Sequence, residues 1–365
     1  MNQSSDTTFK PDIIKATALK KEQRKANLKK WRFIIILIPI MILLMAINAQ
    51  TGSANLSIGD VFTTILHKFF PDTFASVSDM VNKIIWQLRL PRVLMAMLAG
   101  IGLAGAGCVM QSSLKNPLAD PLLLGISSSA GFGATLVIIL GVGILSGTAG
   151  IITSAFFFAI LVSLVIIGLS SFKGAKPVTM LLIGLAMTYL FQSLTQLLQY
   201  QSSAEAAKAS MMWMVGDLSG VEWSEVAILF PIILVSCGLL FWKSWDLNIL
   251  SSGDETAKSL GINVFRLRVF LMAVASLVTA AIVSFIGVIA FVGLVCPHIC
   301  RMFIGSDNRF LFPASCLAGA VLLLCADCVA RTVLSPVILP PGVITGLLGA
   351  PFFIQLVMRQ RRELI

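Results

Sequence analysis

The chain has 365 residues, 57% of them hydrophobic and 12% charged, with a formal net charge of +10 and a mean hydropathy of +0.93. A soluble domain carries roughly a quarter charged residues, so a water-soluble globule is excluded. Apolar runs of about 20 residues recur along nearly the whole length and predict an all-α, polytopic membrane protein. The strict alternation that a spanning β-barrel needs is not visible.

In chain order, residues 1–32 come first as a basic tail. Lys10, Lys15, Lys20, Lys21, Arg24, Lys25, Lys29, Lys30 and Arg32 stand there against Asp6, Asp12 and Glu22, which supplies +6 of the net charge. Directly before a first span, such a tail is expected in the cytoplasm, against anionic lipid, and does not point to nucleic acid. The basic stretch is too long for a signal peptide and no clear cleavage site follows, so the first apolar run is expected to stay as a span. Ten spans are predicted, at about 33–49, 92–112, 121–141, 148–170, 178–200, 224–242, 267–287, 288–304, 311–331 and 342–359. They form one transmembrane domain, 33–360. The eighth is short and contains Gly293 and Pro297, which suggests a broken helix.

Loop charge sets the expected orientation. Starting inside, the inner segments carry Lys115; Lys173 and Lys176; Lys243, Lys258 and Arg266; Arg309; and Arg359, Arg361 and Arg362. The outer ones hold fewer basic residues: Lys68, Lys83, Arg89 and Lys208, with Arg92 and Arg331 at span ends. This bias places both termini in the cytoplasm. The long outer segments are 50–91, which has room for a short amphipathic piece, and 201–223. Stretches such as Ala99-Gly-Ile-Gly-Leu-Ala-Gly-Ala-Gly107 provide the small residues that let membrane helices pack closely.

Several motifs have a plain reading that outweighs the chemical one. Gly100-Ile-Gly102-Leu-Ala-Gly105 matches a dinucleotide fingerprint, but it lies inside a span rather than after a strand. No phosphate-binding loop of the Gly-x-x-x-x-Gly-Lys type occurs, so any ATP hydrolysis must come from another subunit. Cys296-Pro-His298-Ile-Cys300 and Cys325-Ala-Asp327-Cys328 look like ligand clusters. In a helix 296 and 300 share a face that 298 does not, and the expected state is packed thiols beside a locally bonded histidine. No catalytic, metal or cofactor residue is therefore assigned.

Two groups remain. Arg89, Arg92 and Arg331 stand at outer ends of spans. An arginine there can simply snorkel, but three together on the less basic side suit the carboxylates of a docking protein, because each guanidinium is a bidentate fork. The second group lies in the inner loop 243–266. Ser251-Ser-Gly-Asp-Glu-Thr-Ala-Lys-Ser-Leu-Gly261 is punctuated as a short helix, with Ser252 and Glu255 as a capping box, acids in the first turn and Gly261 as the stop. A solvated surface helix is the plain reading. A capped helix in the longest inner loop is also what a force-transmitting contact requires, with Ala257 small enough for a partner surface to approach.

Taken together these blocks resemble the iron-siderophore and cobalamin permease family of ATP-binding-cassette importers. The residues that carry the resemblance are Arg89-Leu-Pro-Arg92, Gln111 with Asn116-Pro-Leu-Ala-Asp-Pro-Leu-Leu-Leu-Gly125, Glu255-Thr-Ala-Lys-Ser-Leu-Gly261, and Gly287-Val-Ile-Ala-Phe-Val-Gly-Leu-Val-Cys-Pro-His298. Gly305-Ser-Asp-Asn-Arg309, Ala326-Asp327 with Ala330-Arg331, and Leu339-Pro-Pro-Gly342 with Gly349-Ala-Pro-Phe352 complete it. The resemblance implies a type II importer permease of ten spans in a bacterial cytoplasmic membrane. Its partners would be a second permease, identical or homologous, two cytoplasmic ATP-binding subunits and an extracytoplasmic binding protein. It further implies that Arg89, Arg92 and Arg331 face acids of that binding protein. Asp254, Glu255, Ala257, Leu260 and Gly261 would seat in the ATPase. The expected cargo is an iron–siderophore complex, with haem or cobalamin as alternatives. The long basic tail departs from the compact form of the family.

Three rivals make different demands. An ion-driven carrier needs ionisable groups within its spans, and Asp327 is almost the only acidic candidate. A membrane enzyme or haem protein would rest on His298 and the cysteines. A purely structural subunit would need neither the arginines nor the capped loop.

Overall fold

The computed structural model describes residues 9–52, 57–73, 77–143, 145–172 and 174–360. Among them the chain forms fifteen α-helices and no strand. The N-terminal tail and first span are one helix, α1 (Phe9–Gln50), rather than a tail followed by a span. Pro11 sits in its first turn, where a missing N–H is harmless. The residues from Asp12 to Ile38 contain no glycine or proline, and the Lys, Glu, Gln, Ala and Leu among them are good helix formers. Residues 1–8 of the tail, Lys173, Arg361 and Arg362 lie outside the described residues.

The segment after α1 carries α2 (Ile58–Phe69), started by a reciprocal capping box between Ser57 and Asp60, and α3 (Asp79–Lys83). A π-helical turn, Ile84–Arg89, joins α3 to α4 (Leu90–Ser113). Pro91 supplies no N–H, and the wider turn absorbs the resulting gap in the ladder. Then come α5 (Ile126–Leu140), α6 (Gly147–Ser171), α7 (Pro177–Tyr200), α8 (Ala204–Met214) and α9 (Trp223–Trp242). The short pair α10 (Ser244–Ser252) and α11 (Asp254–Ser259) leads to α12 (Val264–Ile286), α13 (Val292–Ile304), α14 (Asn308–Thr332) and α15 (Pro341–Gln360).

Among the described residues, seven helices are long and apolar enough to cross a membrane, and shorter apolar helices stand at Ile126–Leu140, Val292–Ile304 and Pro341–Gln355. Each of the ten spans read from the sequence overlaps one of these. The break expected within the eighth falls earlier than Gly293 and Pro297: the chain leaves the helix at Gly287–Phe291. There Gly287 (φ +73°) ends α12 and Phe291 (φ +69°) starts α13.

Helix α4 is the axis of the bundle, buried at nearly every position from Pro91 to Ser113. It packs on α14, α12, α13 and α9. In lipid no hydrophobic force drives helix against helix, so close packing must hold them. A methyl group on Gly100 would collide with the Gly319 carbonyl oxygen of α14, and one on Gly319 would collide with that of Gly100. Neither helix has room for a side chain at this crossing. The apolar flanks of α7 (Leu182, Leu185, Tyr189, Leu190) and α15 (Leu347, Leu348, Ile354) stay exposed.

Candidate functional site

Polar chemistry collects at the two ends of the bundle and at one seam between them. At the end where α4 starts, the three arginines are buried rather than displayed: Arg89, Arg92 and Arg331 are 5, 7 and 8% exposed. Arg92 Nε and Nη2 donate to Asp327 Oδ1 at 3.0 and 2.7 Å, and Nη1 donates to Ser219 Oγ at 3.1 Å. Arg331, one helical turn beyond Asp327, reaches its other carboxylate oxygen at 3.0 Å. It also donates to the carbonyls of Thr51 (2.7 Å) and Asn48 (3.1 Å). Arg89 turns away from Asp327 and donates to the carbonyls of Ala49 (2.8 Å) and Gln50, at the end of α1. The structure thus brings Arg92 and Arg331 together on one acid and sends Arg89 to the helix end beside them.

This arrangement corrects the picture of three outward-facing forks. The guanidinium groups are occupied within the chain, because a buried charge needs a partner and hydrogen bonds. Asp327, with both oxygens engaged, is an ion-pair residue and not an open proton acceptor. Arg92 and Arg331 thus share the single carboxylate of Asp327.

The seam joins α4 to α13. Pro297 has no N–H to offer the carbonyl of Gly293, four residues earlier. Gln111 of α4 supplies the missing donor: its Nε2 lies 3.2 Å from the Gly293 oxygen and 3.2 Å from that of Leu294. Arg301 Nη1 donates to Gln111 Oε1 at 3.2 Å, which fixes the amide's orientation. Cys296 and Cys300 are buried in two different apolar cores. His298 packs against Phe352, and its Nδ1 is without a hydrogen-bond partner among the described residues, in place of the local bond expected from sequence.

The opposite end holds the 243–266 loop. It contains two helices where one was expected, because the chain breaks at Gly253 (φ +142°). Ser252 closes α10 and bonds back to the Asn248 carbonyl, so the expected capping box with Glu255 does not form. The stop at Gly261 has the expected form: φ is +81°. Ile262 N–H donates to the Ala257 carbonyl (3.0 Å) and Gly261 N–H to that of Lys258 (2.9 Å), the paired bonds of a Schellman motif.

The five residues assigned to this loop point in different directions. Glu255 and Leu260 face solvent, Leu260 being 63% exposed, and Glu255 pairs with Lys258 at 3.1 Å. Ala257 is fully buried against the permease core, which corrects its expected place on the partner-facing surface. Asp254 also turns inward, accepting from Lys115 Nζ at 2.6 Å and from Arg268 Nη2 at 2.9 and 3.1 Å. Burial acts to raise its pKa, but Lys115 and Arg268 outweigh it and hold the carboxyl below its ordinary range.

A second clasp fixes α10. Asn248 donates to Asp307 Oδ1 (2.8 Å) and accepts from the backbone and side chain of Asn308, whose own oxygen takes Ser112 Oγ–H of α4 at 2.9 Å. The Asp307 pKa sits at about 2: burial opposes its charge, and Arg309 and Asn248 more than compensate. Sequence reasoning passed over Arg268, Asn248 and Arg301. Arg268 sits at the predicted edge of a span, where nothing local distinguishes it from a topology signal.

Among the described residues, ten apolar helices pack into one bundle with α4 at its axis and the short pair α10 and α11 at one end, the architecture of a polytopic membrane protein. The chain belongs to the FecCD transport family, which matches residues 40–359. It is 41% identical over 344 residues to an ABC transporter permease protein of Methanocaldococcus jannaschii, covering 92% of this chain and 96% of that one. It is 36% identical over 329 residues to the hemin transport system permease protein HmuU of Yersinia pestis, covering 90% and 95%. A solved structure described as an inward-facing metal-chelate type ABC transporter superposes with a TM-score of 0.79 at 31% identity, over 90% of this chain and 99% of that one.

Proposed function

We propose that this chain is the permease subunit of a bacterial cytoplasmic-membrane importer for an iron–siderophore complex, driven by ATP hydrolysis on separate subunits. The observation that carries the reading is α11. This helix is turned outward between Gly253 and Gly261, offers Leu260 and Glu255 to solvent, and is rooted in the permease by Asp254. A six-residue helix is far too short to persist alone. Its caps and root make it a rigid knob suited to the groove of a cytoplasmic ATPase.

The rest of the assembly follows from this orientation. With α11 inside, both termini are cytoplasmic and the Arg92 end faces outward. An extracytoplasmic binding protein docks there, at the end that holds Arg89, Arg92 and Arg331, rather than on free forks. The exposed apolar flanks of α7 and α15 suit a second permease subunit, which would enclose the path.

Reconstitution in proteoliposomes with the co-purifying ATPase and binding protein tests the reading. Import of a radiolabelled ferric siderophore on addition of ATP is the expected result. Import of hemin or cobalamin in its place would move the cargo assignment, with a relative named for hemin transport favouring hemin. ATP hydrolysis by the purified chain without a partner would overturn the proposal.

A further inference from the structure

Arg268 is among the largest fully buried side chains of the molecule, at 1% exposure. It stands in the first turns of α12, at the end of the bundle that carries α11. Three of its nitrogens are spent on three different segments. Nη2 donates to Asp254 of α11 at 2.9 Å, Nη1 to the Ala175 carbonyl in the turn between α6 and α7 at 3.0 Å, and Nε to the Ser113 carbonyl at the end of α4 at 3.3 Å. The Ser113 carbonyl belongs to the last turn of a helix, where no intrahelical N–H is available.

The two turns so held are unusual in themselves. Among the described residues, positive φ is adopted by three non-glycine residues, and two of them are Lys115 (φ +49°) and Ala175 (φ +50°). Such conformations persist only where the surroundings over-determine them. Here the same cluster does so: the Lys115 ammonium bonds Asp254 at 2.6 Å, and the Ala175 carbonyl bonds Arg268. Lys115 opens the Asn116–Gly125 turn into α5, and Ala175 lies two residues before α7. A displacement of α11 therefore acts on the end of α4 and the root of α7 through one planar guanidinium, and on the start of the Asn116–Gly125 turn through Lys115.

We propose that Arg268 is the positioning residue that conveys movement of α11 to the end of α4 and to the α6–α7 turn. The proposal rests on the reading of α11 as the seat of the ATPase. A guanidinium offers a rigid fork of five donors, whereas a lysine ammonium is a single point that cannot span all three acceptors. Arg268→Lys keeps the charge and its pairing with Asp254 while releasing the two carbonyls.

The test uses the chain assembled with its co-purifying ATPase, in a cysteine-free background carrying Lys176→Cys in the α6–α7 turn, where the residue is exposed. Trapping the ATPase with ATP and vanadate should change the rate of maleimide labelling at position 176. In Arg268→Lys that response should fall by about tenfold or more, because both charge-assisted bonds to the carbonyls are lost. The complex and its ATP turnover should remain. Asp254→Asn keeps an acceptor oxygen for the guanidinium and guards against misfolding; it should blunt the response in the same direction, by less. A vanadate response retained in Arg268→Lys overturns the proposal, as does labelling at position 176 that ignores vanadate in the parent. Loss of the ATPase from Arg268→Lys, in parallel with lost thermal stability, makes the residue a structural clasp and overturns it too. Failure of the underlying reading shows separately: Leu260→Asp would then leave the ATPase bound.

Discussion

Arg92 and Asp327 lie 235 residues apart in sequence and meet in a bidentate pair at 2.7 and 3.0 Å, inside the bundle, with Arg331 on the carboxylate's other oxygen. A pair of this kind is costly to break from one side only, since the survivor is left buried and uncompensated.

Asp327→Ala strands two buried guanidiniums and should destabilise the permease by about 3–5 kcal/mol, read as a lower unfolding temperature in detergent. Arg92→Glu should do the same and sharply reduce the amount of folded protein in the membrane. Normal folding of Arg92→Glu with weakened binding-protein docking would return the arginine to the surface role first read from the sequence.

The seam at Pro297 allows a cycle. Gln111→Ala leaves the Gly293 carbonyl without its donor, a loss of about 1–3 kcal/mol for a buried polar group. Pro297→Ala restores a backbone N–H to the same carbonyl. The double variant should therefore be more stable than the sum of the two single effects predicts, by a thermal-unfolding double-mutant cycle. Strict additivity would show that Gln111 does not serve the proline gap.

Gly261 has open space where a Cβ would stand, but its φ of +81° suits only glycine without strain. Gly261→Val should cost about 1–2 kcal/mol in backbone strain and release the ATPase from the complex. Gly261→Asn, which tolerates this region, should retain it. Equal retention by both variants in a pull-down would remove the turn from the coupling contact.

Leu260 and Ala257 separate surface from core. Leu260→Asp should abolish ATPase retention and ATP-driven uptake without altering the permease's unfolding temperature. Ala257→Arg should lower that temperature, because the side chain has to enter a filled apolar core. The opposite pattern would reverse the assignment of the two faces of α11.

The Asp307 clasp carries a pH signature. Its folded pKa of about 2 lies below the ordinary carboxylate value, so its stabilising contribution is fully present above about pH 4 and fades as pH falls toward 2. Hydrogen exchange of α10 should be insensitive to this group between pH 5 and 8. In Asp307→Asn, exchange should be faster throughout that range. A loss of protection on moving from pH 8 to 5 in the parent would contradict the pairing.

The sequence by itself determined whatever depends on neighbouring residues. The number and places of the apolar segments follow from runs long enough to span a bilayer. The end of α11 at Gly261 follows from the left-handed backbone that glycine alone adopts freely. Tight helix crossings follow from small residues, Gly100 meeting Gly319 and Gly107 meeting Gly293. Only the tertiary structure decided which distant faces meet. Arginines at span ends read alike whether they snorkel, dock a partner or pair inward, and it took the meeting of α4 with α14 to bury Arg92 on Asp327, one turn from Arg331. Ala257 looked like a contact point until α11 was laid against the core, and Ser252 like a cap until Gly253 ended the helix before it. Arg268 had no local signal at all, because its role consists of three acceptors contributed by three segments that come together only when the bundle closes.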